Sequence, residues 1–397
     1  MELLVQKSDR KIREVSMEIT RYLLPKINTN NRISIIKGAR GSGKTTLLLQ
    51  YAKKYAPTSK ATLYVALDDL FFEENTMYQL AEDFVKNNGG LLLLDEVHKY
   101  PNWSRELKLI YDDFKELKLL VTSSSLLEIY KSESDLSRRA ISYNLKELSF
   151  REFLMFEKKL KLPSYNLEEI INNHIDISYQ ITSKIKPIYE FNKYIKQGMY
   201  PYYWENKIGF EDTLLQTIHL ALEIDLPAVE SLDYVYIVKL KKLLYAISTS
   251  APFTPNISKL SERVGISRKA LIKAFHYLER ARLLILLEKN NKGISILSKP
   301  DKIFINNPNL QNVLGINDTQ IGTLRESFFV NQLEGIYKIK LPKKGDFIVN
   351  DSYTFEIGGK NKSKSQLKGI PNSFIVKDTI ENGTEGIIPL WLFGFLY

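Results

Sequence analysis

The octapeptide Gly38-Ala39-Arg40-Gly41-Ser42-Gly43-Lys44-Thr45 constrains the fold of this chain more than any other stretch. It fits G-x-x-x-x-G-K-[ST] in full. It follows a short β-branched run, Arg32 to Lys37 (RISIIK), and passes directly into a helical pattern, TTLLLQYAKKYA. A loop that binds phosphate needs that placement between strand and helix. The glycines let the backbone wrap around phosphate oxygens and aim successive N–H groups at them, and the helix N-terminus adds its dipole. Lys44 is then placed to reach the β- and γ-phosphates of ATP, and the Thr45 hydroxyl to ligate magnesium. The expected nucleotide-binding stretch runs from Gly38 through Thr46. Arg40 lies within it, its side chain directed either at the nucleotide or at solvent.

The text around the loop alternates in period. A second strand, ATLYVALDD, precedes a helix at Thr76 to Asn87 (TMYQLAEDFVKN). An apolar run, Gly90 to Asp95 (GLLLLD), leads to the helical SRELKLIYDDFKE and then to the strand Lys118 to Thr122 (KLLVT). Strands alternating with helices of this length predict an α/β fold, a parallel sheet with crossover helices. Continuous apolar runs such as LLLL suit strands buried on both faces.

The LLLL run ends in Asp95-Glu96. At the C-terminal end of such a strand Asp95 is a candidate magnesium ligand, acting through water, and Glu96 a candidate base for the attacking water. The next strand ends in Thr122-Ser123-Ser124-Ser125. Ser123 or Ser124 there is a candidate sensor of the γ-phosphate, the competing role being a cap for the following LLEIYKS. Arg138 and Arg139, in Asp135-Leu136-Ser137-Arg138-Arg139, are candidates to stabilise the γ-phosphate in the transition state, in cis or from a neighbouring subunit. A solvated basic pair is the alternative.

Taken together, GARGSGKTTLL, LLLLDEVHKYPNW, LLVTSSSLLEI, and SRRA followed by LKELSFREFL resemble the prokaryotic AAA-type ATPases with a DUF4143 C-terminal region. These are a branch of the AAA+ superfamily. The likeness covers roughly the first 155 residues closely. At the loop those proteins often have G-x-R-R-x-G-K-T, and Ser42 here occupies the variable slot. The resemblance implies a P-loop ATPase domain at 1–155, a helical lid or connector at 156–237, a winged helix and a nuclease-like C-terminal α+β fold.

The winged helix is also legible in the residues at 238–300. NISKLSERVGIS reads as a short helix ending at Gly265, and Ser267 caps a second helix, RKALIKAFHYLERARLL. A wing strand at ILLEKN follows. The second helix presents Arg268, Lys269, Lys273 and Arg280, a plausible face for a DNA groove or backbone phosphates. Such modules also serve as protein contacts. Tyr200, Tyr202, Tyr203 and Trp204 read as packing rather than as a platform for bases.

Residues 301–397 become strand-rich: KGDFIVND, YTFEIGG, SFIVKD, IIPLWLFGFL. In relatives an acid followed by E-x-K on the next strand forms the metal site of a restriction-type nuclease. Asp346 and Glu356 match that pattern. Three residues, Ile357, Gly358 and Gly359, then separate Glu356 from Lys360. The glycine pair either bulges the strand to return Lys360 to the site or marks a decayed site, which is the favoured reading.

Composition bounds the rest. A chain of 397 residues exceeds one ordinary domain, and 44% hydrophobic content is enough for packed cores. The absence of cysteine excludes disulfides and thiolate chemistry and suits a reducing cytoplasm. The first fifteen residues lack the apolar core of a leader, and no run approaches the roughly 20 apolar residues of a membrane span. A net charge of +10 favours an acidic partner such as nucleic acid, although a surface rich in lysine throughout gives the same charge. The leading expectation is a magnesium-dependent ATPase whose hydrolysis drives a switch coupled to DNA or to a protein, with oligomerisation open. A nucleotide-gated regulatory or defensive scaffold with negligible turnover, or an ATP-gated metal-dependent nuclease, are the alternatives.

Overall fold

The near-continuous apolar runs become the centre of a five-stranded, wholly parallel sheet in the order β2-β3-β4-β1-β5. Its strands are β1 (Ile33–Lys37), β2 (Thr62–Ala66), β3 (Leu91–Asp95), β4 (Lys118–Ser123) and β5 (Ala140–Asn144). The computed structural model describes residues 1–56, 61–123, 136, 138–227, 232–249, 254–289, 299–315 and 321–397. These form two units, Met1–Glu147 and Leu148–Tyr397.

In the first unit alternate side chains leave opposite faces of the sheet. Ile33, Ile35, Leu92 and Leu94 pack on one side against α3 (Met77–Lys86) and α4 (Trp103–Asp113). Ile36, Leu91 and Leu93 pack on the other against α2 (Lys44–Tyr55). Every residue of β1 and β3 is buried, as strands covered on both faces require. The edge strand β5, AISYN, is only half-buried, so no apolar run announces it in the sequence.

The opposite edge strand, β2, is covered by α1 (Glu2–Glu14). The fully buried Ser8 hydroxyl accepts a 2.9 Å hydrogen bond from the Tyr64 amide, giving an edge N–H a partner that no further strand supplies. Lys7 pairs with Asp69 at 2.8 Å, and the Lys11 ammonium lies 4.8 Å from the centre of the Tyr64 ring.

The second unit begins with α5 (Phe150–Lys158), followed by α6 (Leu167–Thr182), α7 (Pro187–Lys196), α8 (Phe210–Leu220) and α9 (Tyr234–Ser248). The segment LSFREFL opens it. Ser149 and Glu152 form a capping box, and Phe150 sits among Phe153, Phe191, Tyr194 and Phe395. Residues 148–155, grouped with the first domain from the sequence, therefore pack in the second unit. Tyr200 stacks on Tyr202, which meets Phe210 in a tilted contact, and Trp204 stacks on Phe156 at 4.6 Å, so the aromatic cluster packs internally.

Next come α10 (Ile257–Val264) and α11 (Arg268–Arg280), joined by Gly265 in the left-handed region and capped by Ser267. An antiparallel pair follows, β6 (Leu284–Leu287) with β7 (Lys302–Ile305). The last strands, β8 (Ile339–Lys340), β9 (Phe347–Val349), β10 (Tyr353–Gly358), β11 (Ser373–Lys377) and β12 (Ile387–Pro389), form a mixed sheet in the order β12-β11-β10-β9-β8. Before that sheet stand α12 (Pro308–Leu314) and α13 (Ile321–Leu333).

Gly38 leaves β1 directly beneath the backbone that follows β5. A Cβ at Gly38 would stand 2.4 Å from the Leu145 carbonyl oxygen, and Leu145 donates its amide to Lys37 at 2.7 Å. Gly38→Ala must push two bonded backbone segments apart. We expect it to lose about 2 kcal/mol of stability, read as a lower urea midpoint; an unchanged midpoint would contradict this packing.

Candidate functional site

The octapeptide leaves the C-terminal end of β1 and enters α2, with Gly41 at φ 78° and Gly43 at φ 91°. Side chains strain at such angles, so glycine is needed at both turns. The buried Lys44 ammonium donates to the loop's own carbonyls, Gly38 at 3.0 Å and Ala39 at 2.8 Å. The Ser42 hydroxyl is fully buried and has no hydrogen-bond partner among the described residues.

Asp95 ends β3 beside this loop and is 3% exposed. Three hydroxyls from three elements donate to it. Thr45 at the start of α2 reaches Oδ2 at 2.7 Å, Tyr64 of β2 reaches Oδ2 at 2.9 Å, and Thr122 of β4 donates to Oδ1. Burial and the neighbouring Asp95 carboxylate push the Tyr64 phenol well above its usual range, so it remains a donor. An all-oxygen set of carboxylate and hydroxyl, 2.7 Å apart at a phosphate-binding loop, fits a hard cation such as magnesium.

Glu96 follows at φ 54°, a left-handed conformation that costs a non-glycine residue energy and is found preferentially at functional sites. Its amide donates to Thr122 Oγ1 at 3.1 Å, so one threonine ties down both acids. The Glu96 carboxylate forms an ion pair with Lys99, which also reaches Asp68 at 2.6 Å. Burial opposes the charge on Lys99, but its hydrogen bonds to Asp68 and Glu96 outweigh that and hold the ammonium above its ordinary range. The bond to Lys99 likewise holds Asp68 below the usual carboxylate range.

Thr122, Tyr64 and Lys99 were not singled out in the sequence. For Thr122 a signal exists: β3 and β4 are parallel neighbours with Leu94 opposite Val121, so the next residue on β4 stands beside Asp95. Ser123, the expected sensor, is fully buried, and its hydroxyl lies 3.3 Å from His98 Nδ1. Ser124 lies outside the described residues.

Arg138 and Arg139 occupy the wrong end of the sheet for action within one chain. They precede β5, whose first residue Ala140 pairs with Ile33, whereas the loop follows Lys37, opposite Asn144. Four strand residues separate the two ends by roughly 13 Å. Arg139 instead makes a two-point ion pair with Asp112 at 3.1 and 3.2 Å. Arg138 is exposed.

Buried Arg21 is a further residue missed in the sequence. Its guanidinium donates to the Ser42 carbonyl in the loop and to the carbonyls of Lys146 at 2.8 Å and Glu147 at 3.2 Å.

In the second unit, Lys269, Lys273 and Arg280 fall within about 40° of one another around α11, while Arg268 lies off that face. Arg268, Lys269 and Lys273 are exposed and Arg280 is partly buried.

At the C-terminal sheet the residue beside Glu356 is not Lys360, which one of the two readings given for the glycine pair returned to the site. Lys360 is exposed, and its carbonyl accepts from Lys377 at 2.9 Å. Lys362 comes to Glu356 instead, its ammonium 2.5 Å from Oε1 in an ion pair without hydrogen-bond geometry. The reason is steric. Gly358 has no side chain, and the Lys362 stem fills that space, 2.6 Å from where a Cβ would be. Asp346 Oδ2 accepts the Ile357 amide at 2.7 Å, and Glu326 of α13 pairs with Lys302 at 2.5 Å. Among the described residues no group of three or more His, Cys, Asp or Glu side chains is arranged to hold a metal. No described helix is long and apolar enough to cross a membrane.

Two proteins of Methanocaldococcus jannaschii are similar in sequence. The one described as Uncharacterized protein MJ1637 is 28% identical over 376 residues, 86% of this chain and 79% of its own length. Uncharacterized protein MJ1544 is 23% identical over 300 residues, 70% of this chain and 60% of its own. Among solved structures, the Walker-type ATPase PABY2304 of Pyrococcus abyssi aligns with 78% of this chain and 95% of its own, at 12% identity and a TM-score of 0.41. The family model described as AAA domain matches residues 30–154. Over those residues the chain is similar to AAA-type ATPase domains.

Proposed function

We propose that the first unit binds ATP with magnesium at Gly38–Thr46 and hydrolyses it with Glu96 as general base. One observation carries this reading: Thr45, Asp95, Thr122 and Glu96 converge at the end of the phosphate loop. The loop amides and the N-terminus of α2 receive the phosphates, and Lys44 exchanges its two carbonyl partners for phosphate oxygens. Thr45 and Asp95 would hold magnesium, which supplies charge neutralisation at the β- and γ-phosphates. Tyr64 and Thr122 orient Asp95 through its second coordination layer of hydrogen bonds.

Glu96 takes the proton of the attacking water once it leaves Lys99. Lys99 engages the carboxylate that must accept this proton. The ion pair therefore favours an idle state, and ATP binding has to shift Glu96 away from it. Arg138 and Arg139 act, on this reading, only from a neighbouring subunit. Hydrolysis is coupled to DNA or a protein through the second unit. The residues at 238–300 are read as a winged helix whose Lys269, Lys273 and Arg280 face meets phosphates.

Lys44→Ala is expected to abolish turnover and weaken nucleotide affinity in a fluorescent-nucleotide titration. Glu96→Gln should retain ATP but lower kcat by about a hundredfold or more; turnover near that of the unaltered chain would remove Glu96 from the role of base. Lys99→Met frees Glu96 and is expected to raise basal kcat about fivefold, the equivalent of roughly 1 kcal/mol. A lower kcat would mean that Lys99 assists catalysis rather than restraining it. Titration of double-stranded DNA at several salt concentrations tests the second unit: Arg280→Ala should weaken binding and reduce the salt slope by about one. An unchanged slope takes α11 out of the interface.

A further inference from the structure

The back of the phosphate loop is held by the chain segment that leads out of the first unit. Leu145 donates to Lys37 at 2.7 Å, and its carbonyl lies so close to Gly38 that no side chain fits between them. The Tyr22 hydroxyl donates to the Asn144 carbonyl at 2.8 Å and accepts from the Lys146 amide at 3.2 Å. Beside it, Arg21 spans from the Ser42 carbonyl inside the loop to the carbonyls of Lys146 and Glu147. Glu147 is the last residue of the first unit, and Leu148 the first of the second.

Arg21 is 5% exposed. A buried guanidinium that loses an acceptor is left with an uncompensated polar group, so its carbonyl partners are not free to move independently. Ser42 is at the centre of the octapeptide, between the two left-handed glycines, in the stretch whose amides would receive phosphate. Any displacement of the Ser42 carbonyl is therefore felt at Lys146 and Glu147. The fork geometry of arginine matters here, because a lysine at the same place is a single point donor and cannot bridge loop and exit strand together.

We propose that Arg21 is a positioning residue that couples the state of the phosphate loop to the junction at residues 146–148, and so passes the nucleotide state to the second unit. This rests on the proposal that the loop binds ATP. Arg21 touches no reacting atom in this role and acts through the Ser42 backbone. Tyr22 stiffens the same junction by bridging Asn144 and Lys146.

Hydrogen–deuterium exchange on the full-length chain carrying Glu96→Gln, with and without saturating magnesium–ATP, tests it. In that parent, ATP should slow exchange at residues 38–47 and also change it at 148–158. Adding Arg21→Lys should leave protection at 38–47 detectable while the response at 148–158 falls about tenfold, as expected for loss of a charged hydrogen-bond bridge. Tyr22→Phe, a milder change, should give a smaller loss at 148–158. It keeps the test available if Arg21→Lys does not fold. A response at 148–158 as large in both variants as in the parent overturns the proposal, as does a parent that responds at 38–47 but not at 148–158. No protection at 38–47 in any of the chains would instead refute nucleotide binding itself, and the coupling with it.

Discussion

A carboxylate withdrawn from water must be compensated, and the first unit is arranged around one such group, Asp95. Its donors come from the helix after the phosphate loop, from the edge strand β2 and from β4. Those bonds fix α2 and three strands at the same point, the C-terminal edge of the sheet. In an open parallel sheet that edge is where ligands bind. The donors are hydroxyl groups, which can yield an oxygen lone pair to a cation or return to the acid when it leaves. One buried charge thus serves both the packing of the unit and the chemistry proposed for it.

Glu96 differs from its neighbour in each respect. It is partly exposed, it sits in a strained backbone conformation, and its carboxylate is paired with a lysine. Thr122 bonds to both acids, so the strain at Glu96 is maintained by the same hydroxyl that satisfies Asp95. Asp95 is held in one place, whereas Glu96 has a partner it can leave. That division suits a pair in which one acid organises the site and the other reacts.

In the C-terminal sheet the lysine beside Glu356 is not the one that the sequence pattern singled out. Gly358 stands where a side chain would point toward Glu356, and Lys362 fills that space from four residues further along. Burial opposes the charge on Lys362, yet Glu356, Asp346 and Glu326 together hold the ammonium above its usual range. Burial also pushes Glu326 above the usual carboxylate range, an effect that Lys302 only partly offsets. The result is a cluster of three acids held by two lysines.

The sequence by itself determined the parallel α/β class, the positions of β1 to β4 and the phosphate loop. These follow from local rules: an apolar run for a strand buried on both faces, and glycines where φ must be positive. Asp95 and Glu96 could be singled out because an acid pair ends an apolar strand downstream of the G-x-x-x-x-G-K-T loop; the roles given to them belong to the proposal. The edge strand β5 was not legible, since a half-buried polar strand has no distinct period. Only the tertiary structure decided which residues meet across elements. It brought Tyr64, Thr122 and Arg21 to the loop, placed Arg139 at the far end of the sheet with Asp112, and put Lys362 rather than Lys360 beside Glu356. Those pairings join residues up to 126 positions apart, and they depend on strand order, register and empty side-chain space. None of these is encoded in local spacing.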